Sequence, residues 1–221
     1  QSFSAYHPEH WFDVNGGGTV IDMAPTNSWE RRCGACHATG INLMYDEMTS
    51  EYLTGYAELN VGCEACHGAG QAHASSQSAN DILNPRDLFD NTPEGVRRAD
   101  LVCGQCHNRG SGGTPTGAPS GTGYPWKEGV GIYKPGELDF ESWYTLTGSS
   151  SFWRYKDNPL GFAPTADLAD DTWHSSKQHH QQYEEFLVSK HFDNPFHQLS
   201  CTDCHNPHGS ENEHDLSAPA R

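Results

Sequence analysis

The sequence predicts one domain, mostly loop with short α-helices and little β, whose core is not supplied by side chains alone. Three observations predict it. Glycine and proline are abundant, at 23 and 13 of 221 residues, so much of the chain is turn and loop. Hydrophobic residues make up only 34% and the mean hydropathy is −0.75, so side chains alone struggle to bury enough apolar surface to offset chain entropy. Disorder would satisfy the same numbers, but six tryptophans, nine tyrosines, nine phenylalanines and eight cysteines argue for a folded chain. The third observation is where those cysteines sit.

All eight cysteines fall in four copies of one pattern: Cys33-Gly34-Ala35-Cys36-His37, Cys63-Glu64-Ala65-Cys66-His67, Cys103-Gly104-Gln105-Cys106-His107 and Cys201-Thr202-Asp203-Cys204-His205. This is the c-type haem attachment sequence. Two thiols three positions apart share one side of a helical turn and can add to the two vinyl groups of one porphyrin. The next residue then sets its imidazole over the iron as the proximal ligand. Zinc sites pair two such motifs without requiring a histidine after each, and disulfides leave the four histidines unexplained. The fold class is therefore that of a multihaem cytochrome c, with short helices around a stacked core of four covalently attached haem c groups. Attachment of this kind takes place outside the cytoplasm, so the chain is expected to be exported.

The formal net charge is −16, and haem propionates would add to it. Nucleic acid and anionic lipid are excluded as partners on this ground. No apolar run approaches the ~18 residues of a membrane span. The chain begins at Gln1 rather than methionine, which is consistent with a removed signal peptide.

Short helices are expected at the motifs, over about 28–37, 58–67 and 97–107. A further helix is expected from Trp173 to Phe192, where Tyr183, Leu187 and His191 recur at helical spacing.

The second axial ligands come from the remaining ten histidines. Methionine competes poorly, since only Met23, Met44 and Met48 exist. Bis-histidine ligation at all four irons is expected, a choice that favours lower potentials than His/Met. His73 follows His67 by six residues and His208 follows His205 by three. Both are too close to reach the far face of their own haem, so as ligands they should cross to a neighbouring one. His191 is a third candidate. His179 and His180 compete for the fourth place, and spacing barely separates them. His174, His197 and His214 read as surface residues. His7 and His10 lie near the start, with His10 a reserve that could serve this chain or a neighbour.

The motifs are unevenly placed. Residues 108–172 hold no histidine and no cysteine, yet ten aromatic residues lie between Tyr124 and Phe162. This insert within the single 1–221 domain reads either as a layer shielding haem edges or as a docking surface.

A family resemblance rests on particular residues. Val61-Gly62-Cys63-Glu64-Ala65-Cys66-His67-Gly68 followed by His73 resembles multihaem cytochromes related to the tetrahaem cytochrome of ammonia oxidisers. The stretch His179-His180-Gln181-Gln182-Tyr183, then Ser189-Lys190-His191, then Cys201 to Gly209, is similar to the same group. The resemblance implies His73, His179, His191 and His208 as the four distal ligands. A four-haem exported chain of this size is further similar to the OmcE-type extracellular cytochromes that polymerise into filaments. That likeness covers about 30–75 and 175–210 and leaves the insert unmatched.

Three functions follow for weighing. The first is an electron conduit, polymerised with copies of itself into an extracellular filament and serving other redox proteins or extracellular acceptors. The second is a monomeric periplasmic shuttle. The third is a reductase, which needs an iron with an open distal position. No Cys-x-x-Cys-Lys motif is present and distal histidines are plentiful, so the sequence-based expectation is a conduit at the cell surface and not an enzyme.

Overall fold

The computed structural model describes residues 2–3, 11–12, 28–137, 139–146, 163–164, 174–175, 181–187, 189–192 and 194–218. The first motif opens on Ser28, whose side chain accepts from the Arg31 N–H and so caps α1 (Trp29–Arg32). Cys33 then leaves helical geometry at φ −120°, and α2 (Gly34–His37) resumes after it. The single helix expected over 28–37 is therefore two short turns hinged at the first cysteine. Cys36 and His37 both bond back to the Cys33 carbonyl at 3.1 Å, which keeps the C-x-x-C turn closed.

Strands β3 (Asn42–Asp46) and β4 (Glu51–Gly55) form a hairpin with Met44 opposite Leu53 and Tyr45 opposite Tyr52. Thr39 and Glu58 close its open end as an antiparallel bridge. Glu58 was expected to start a helix, but the bridge uses its backbone, and the second-motif helix α3 covers only Cys63–His67. Thr39 also ties the first two motifs together. Its hydroxyl donates to the Asn60 carbonyl at 2.7 Å and accepts the N–H of Gly62, the residue before Cys63, at 2.8 Å. Helix α4 (Gln71–Ser76) carries His73 and ends at Gln77 in left-handed geometry, φ 56°.

Helix α5 (Pro93–Gly104) is the longest helix among the described residues. It starts at Pro93 rather than Arg97 because Thr92 accepts the Gly95 N–H at 3.1 Å and proline suits the first helical position. Its buried face runs through Val96, Ala99, Asp100, Leu101 and Gly104.

The insert supplies much of the buried side-chain core. Tyr133, Phe140, Trp143 and Tyr144 pack with Leu101 of α5 and with Tyr183. Tyr124 and Trp126 pack with Leu43 of the hairpin. Phe140 meets Tyr133 edge-on at 5.1 Å and 89°, and Tyr144 at 5.7 Å and 61°. The phenols reach backbone carbonyls: Tyr124 to Glu30 at 2.6 Å, Tyr133 to Glu137 at 2.7 Å and Tyr144 to Gly123 at 3.1 Å. Aromatics can thus be buried without stranding their hydroxyls. These six residues are buried among side chains.

There is also more β than expected, though no sheet among the described residues exceeds two strands. β5 (Gly110–Gly112) pairs with β8 (Tyr144–Leu146), and β6 (Trp126–Lys127) with β7 (Gly131–Ile132). β1 (Ser2–Phe3) pairs with β2 (Trp11–Phe12). β9 (Ala163–Pro164) pairs with β10 (His174–Ser175). That last pair falls where a helix from Trp173 was expected; α6 covers only Gln182–Leu187. It joins the core through Tyr183, whose N–H donates to the His107 carbonyl at 3.0 Å. The fourth motif forms α7 (Cys201–Cys204), with the Asp203 carboxylate accepting the Ser200 N–H at 2.8 Å.

Candidate haem-binding sites

Each Cys-x-x-Cys segment lies in or at the end of a short helical stretch, with a histidine directly after it. The residue following the first cysteine differs between motifs. Gly34 and Gly104 are buried, whereas Glu64 and Thr202 are exposed. At Gly104 an added Cβ would lie 2.6 Å from the Tyr183 ring. At Gly34, Ile41 and Trp29 occupy the same space. The first and third motifs are therefore packed against the core on this side, and the second and fourth face solvent.

The four motifs converge on the C-terminal turn of α5. The Cys36 thiol is hydrogen-bonded to that of Cys106, and the Cys103 thiol to that of Cys201. The Gln105 side-chain amide donates to the Ala65 carbonyl at 3.0 Å, bringing in the second motif. Cys201 gives its backbone N–H to Asp100 at 3.0 Å. Donation to Cys36 holds the Cys106 thiol well above its ordinary pKa, and donation to Cys103 does the same for Cys201. Burial pushes the Cys33 and Cys66 thiols up. Arg86 braces the fourth motif from outside. Its guanidinium donates to Ser200 at 2.8 Å, Thr202 at 3.2 Å and Asp203 at 3.0 Å.

Three of the candidate imidazoles are oriented as metal ligands usually are. His67 Nδ1 lies 2.7 Å from the Leu83 carbonyl, His73 Nδ1 2.9 Å from Ser78 and His205 Nδ1 3.0 Å from His214. A carbonyl only accepts, so Nδ1 carries the proton in each bond. Nε2 is left with its lone pair for a metal, the second-shell pattern of ligating histidines. None of these carbonyls could be picked out from the sequence, because all lie in irregular segments.

One pair of candidate imidazoles is brought together with parallel ring planes among the described residues. The rings of His67 and His208 are nearly parallel, at 7°, with centroids 6.0 Å apart. Two imidazoles flanking one metal, each nitrogen ~2.0–2.1 Å away as at zinc and each centroid about 1 Å further, stand about 6 Å apart. The spacing matches that of two imidazoles on one metal, and it also lies within the range of offset ring stacking.

The other candidates are less assembled. His37, His107 and His191 are exposed. His197 and His214, expected at the surface, are exposed too. His7, His10, His179 and His180 lie outside the described residues, as does the side chain of His174. Sequence reasoning missed Asp100, Arg86, Thr39 and Gln105, since nothing in their local patterns marks a contact across the chain. Among the described residues no three His, Cys, Asp or Glu side chains gather to hold a bare ion. Paired thiols next to an imidazole suit a porphyrin-borne iron better than a caged cation.

Paired thioether-forming turns with adjoining imidazoles, set in short helices and loops, define a c-type cytochrome. The chain belongs to the cytochrome c552 family, which its residues 22–219 match. Among solved structures it is similar to the crystal structure of the outer cell wall cytochrome OcwA, with a TM-score of 0.57 and 21% identity. The similarity covers 86% of this chain and 42% of that one, so the chain spans less than half of that protein's length. At this identity the likeness is one of fold. No curated protein matches the chain. Family membership makes it a cytochrome with covalently bound haem c and a role in electron transfer.

Family membership also overturns one expectation. The sequence was read as excluding an enzyme, but the cytochrome c552 family includes nitrite-reductase-type multihaem enzymes. Plentiful histidines do not close every iron unless each one is placed over it. The exclusion therefore does not stand. No helix of the described residues is long and apolar enough to cross a membrane.

Proposed function

We propose that the chain carries four haem c groups and passes electrons along them as the repeating subunit of an extracellular filament. The thiols of Cys33 and Cys36, Cys63 and Cys66, Cys103 and Cys106, and Cys201 and Cys204 form the attachments. His37, His67, His107 and His205 are the proximal ligands, and His73, His179, His191 and His208 the distal ones. The observation that carries this reading is the parallel pairing of His67 with His208 at 6.0 Å. It supports a residue of the fourth motif as the distal ligand at the second haem, with the motifs interlocked into one chain of cofactors. Convergence of the thiols on α5 supports the same packing. When bound, the haems supply the redox chemistry; the protein sets their spacing, ligation and exposure.

Assembly with further copies is supported by the solvent-facing apolar residues between the first two motifs. Met44 and Leu53, cross-strand partners in the β3–β4 hairpin, are 54% and 49% exposed, and Leu59 and Val61 follow at 64% and 53%. Patches of this kind mark interaction surfaces. Intact mass and haem-stained denaturing gels should give four haems per chain; three or fewer would break the attachment assignment. Negative-stain microscopy of native material should show filaments. Discrete particles under every condition tried would replace the filament with a monomeric exported shuttle.

A further inference from the structure

Asp100 sits one turn before the third motif on α5 and is 2% exposed. Its Oδ1 accepts the Cys201 N–H at 3.0 Å, while Oδ2 has no hydrogen-bond partner. The Cys201 thiol also hydrogen-bonds this carboxyl, and bonds in turn to the Cys103 thiol. Once both thiols are thioethers they have no S–H to give. Among the described residues the carboxyl then keeps one backbone N–H and no other donor. The charged and titratable groups around it are few. Cys103 lies on its own helix, Cys201 and Asp203 come from α7, Arg86 from the 3-10 turn Pro85–Leu88, and Tyr183 from α6. Arg86, the cation among them, is bonded to Asp203, Ser200 and Thr202. Asp203 adds a like charge. Burial pushes the Asp100 carboxyl up to about 6.

We infer that Asp100 is a proton-binding site coupled to electron transfer at the third and fourth haem positions. It rests on the attachment reading above for Cys103 and Cys201. The carboxyl takes a proton when a neighbouring cofactor is reduced and releases it on reoxidation. One electron comes from the upstream donor of the chain's electron-transfer activity and one proton from water, and the new bond is the O–H on Asp100. The physical cause is charge. An added electron near a poorly solvated carboxylate raises the cost of its negative form. By linkage, the reduction potential falls as pH rises between the carboxyl's pKa values in the oxidised and reduced states, and is flat outside them.

Asp100→Asn is the informative substitution, since its amide oxygen still accepts the Cys201 N–H but cannot titrate. Intact mass comes first: four haems in wild type and variant secure the attachment reading, and fewer in wild type would defeat that reading instead. Spectroelectrochemical titrations from about pH 5 to pH 9 should then show at least one midpoint with a pH slope in wild type and a flat line in Asp100→Asn. Equal slopes in the two proteins would overturn the inference. Should Asp100→Asn fail to take up haem, redox-difference infrared spectra of wild type decide. A protonated-carboxyl band should appear on reduction and move in Asp100→Glu; no band, or one that stays put, would overturn it equally.

Discussion

Replacing His208 by alanine separates a crossed axial ligand from a local one. His208 follows His205 closely in sequence, yet its ring stands parallel to that of His67 at 6.0 Å. His208 is exposed, so its removal costs little packing, and far-ultraviolet circular dichroism should not change. If it is one of eight axial imidazoles, the variant should convert one haem in four, about one quarter of the low-spin intensity, to high spin. Added imidazole should restore it. The second arm uses Cys63→Ala with Cys66→Ala, which removes the second haem. In that background His208→Ala should do nothing further, because the iron it served is gone. Such non-additivity is what two partners in one site produce. A full loss of a second low-spin haem in the combined variant would place His208 at its own motif's haem, or at another, and refute the crossing. An unchanged spectrum in the single variant would remove it from the ligand set.

Two stability predictions probe the frame around the sites. Gly104→Ala sets a methyl group 2.6 Å from the Tyr183 ring; overpacking there should cost about 1–3 kcal/mol, read as a lower denaturant midpoint, while Gly68, with nothing near its Cβ position, is no comparison because its φ is +68°. Equal midpoints for Gly104→Ala and wild type would show that Tyr183 does not pack on the third motif. Phe140→Ala empties a site that is 1% exposed and should cost ~3–5 kcal/mol in chemical unfolding. Near-ultraviolet dichroism should weaken with it, and a loss below about 1 kcal/mol would mean the insert's aromatics are not a core.

The attachment motifs were legible because haem c chemistry is local: two thiols and an imidazole must lie within one helical turn, so five consecutive residues carry the whole signal. The proposal that His208 crosses to another haem was legible in part, since three residues cannot span a porphyrin. Helix limits were not. Cys33 hinges α1 and α2; Glu58 is drawn into a bridge with Thr39 and His174 sits in a strand paired to residue 163–164 backbone, the last two settled by a partner elsewhere in the chain. The insert's aromatics were visible as a count but not as a core, because burial depends on what packs opposite. Asp100 gave no signal at all. Its hydrogen-bond partner, Cys201, lies 101 residues further along the chain.

By itself, then, the sequence determined the cofactor class and singled out the thiols and proximal imidazoles proposed to hold it, because covalent haem attachment asks only for neighbours along the chain. The tertiary structure alone decided which histidine faces which, that the four motifs meet at the end of α5, and that an aromatic layer supplies the core. Those depend on contacts across the fold, where burial and hydrogen bonding select one arrangement from the several that the same spacing allows.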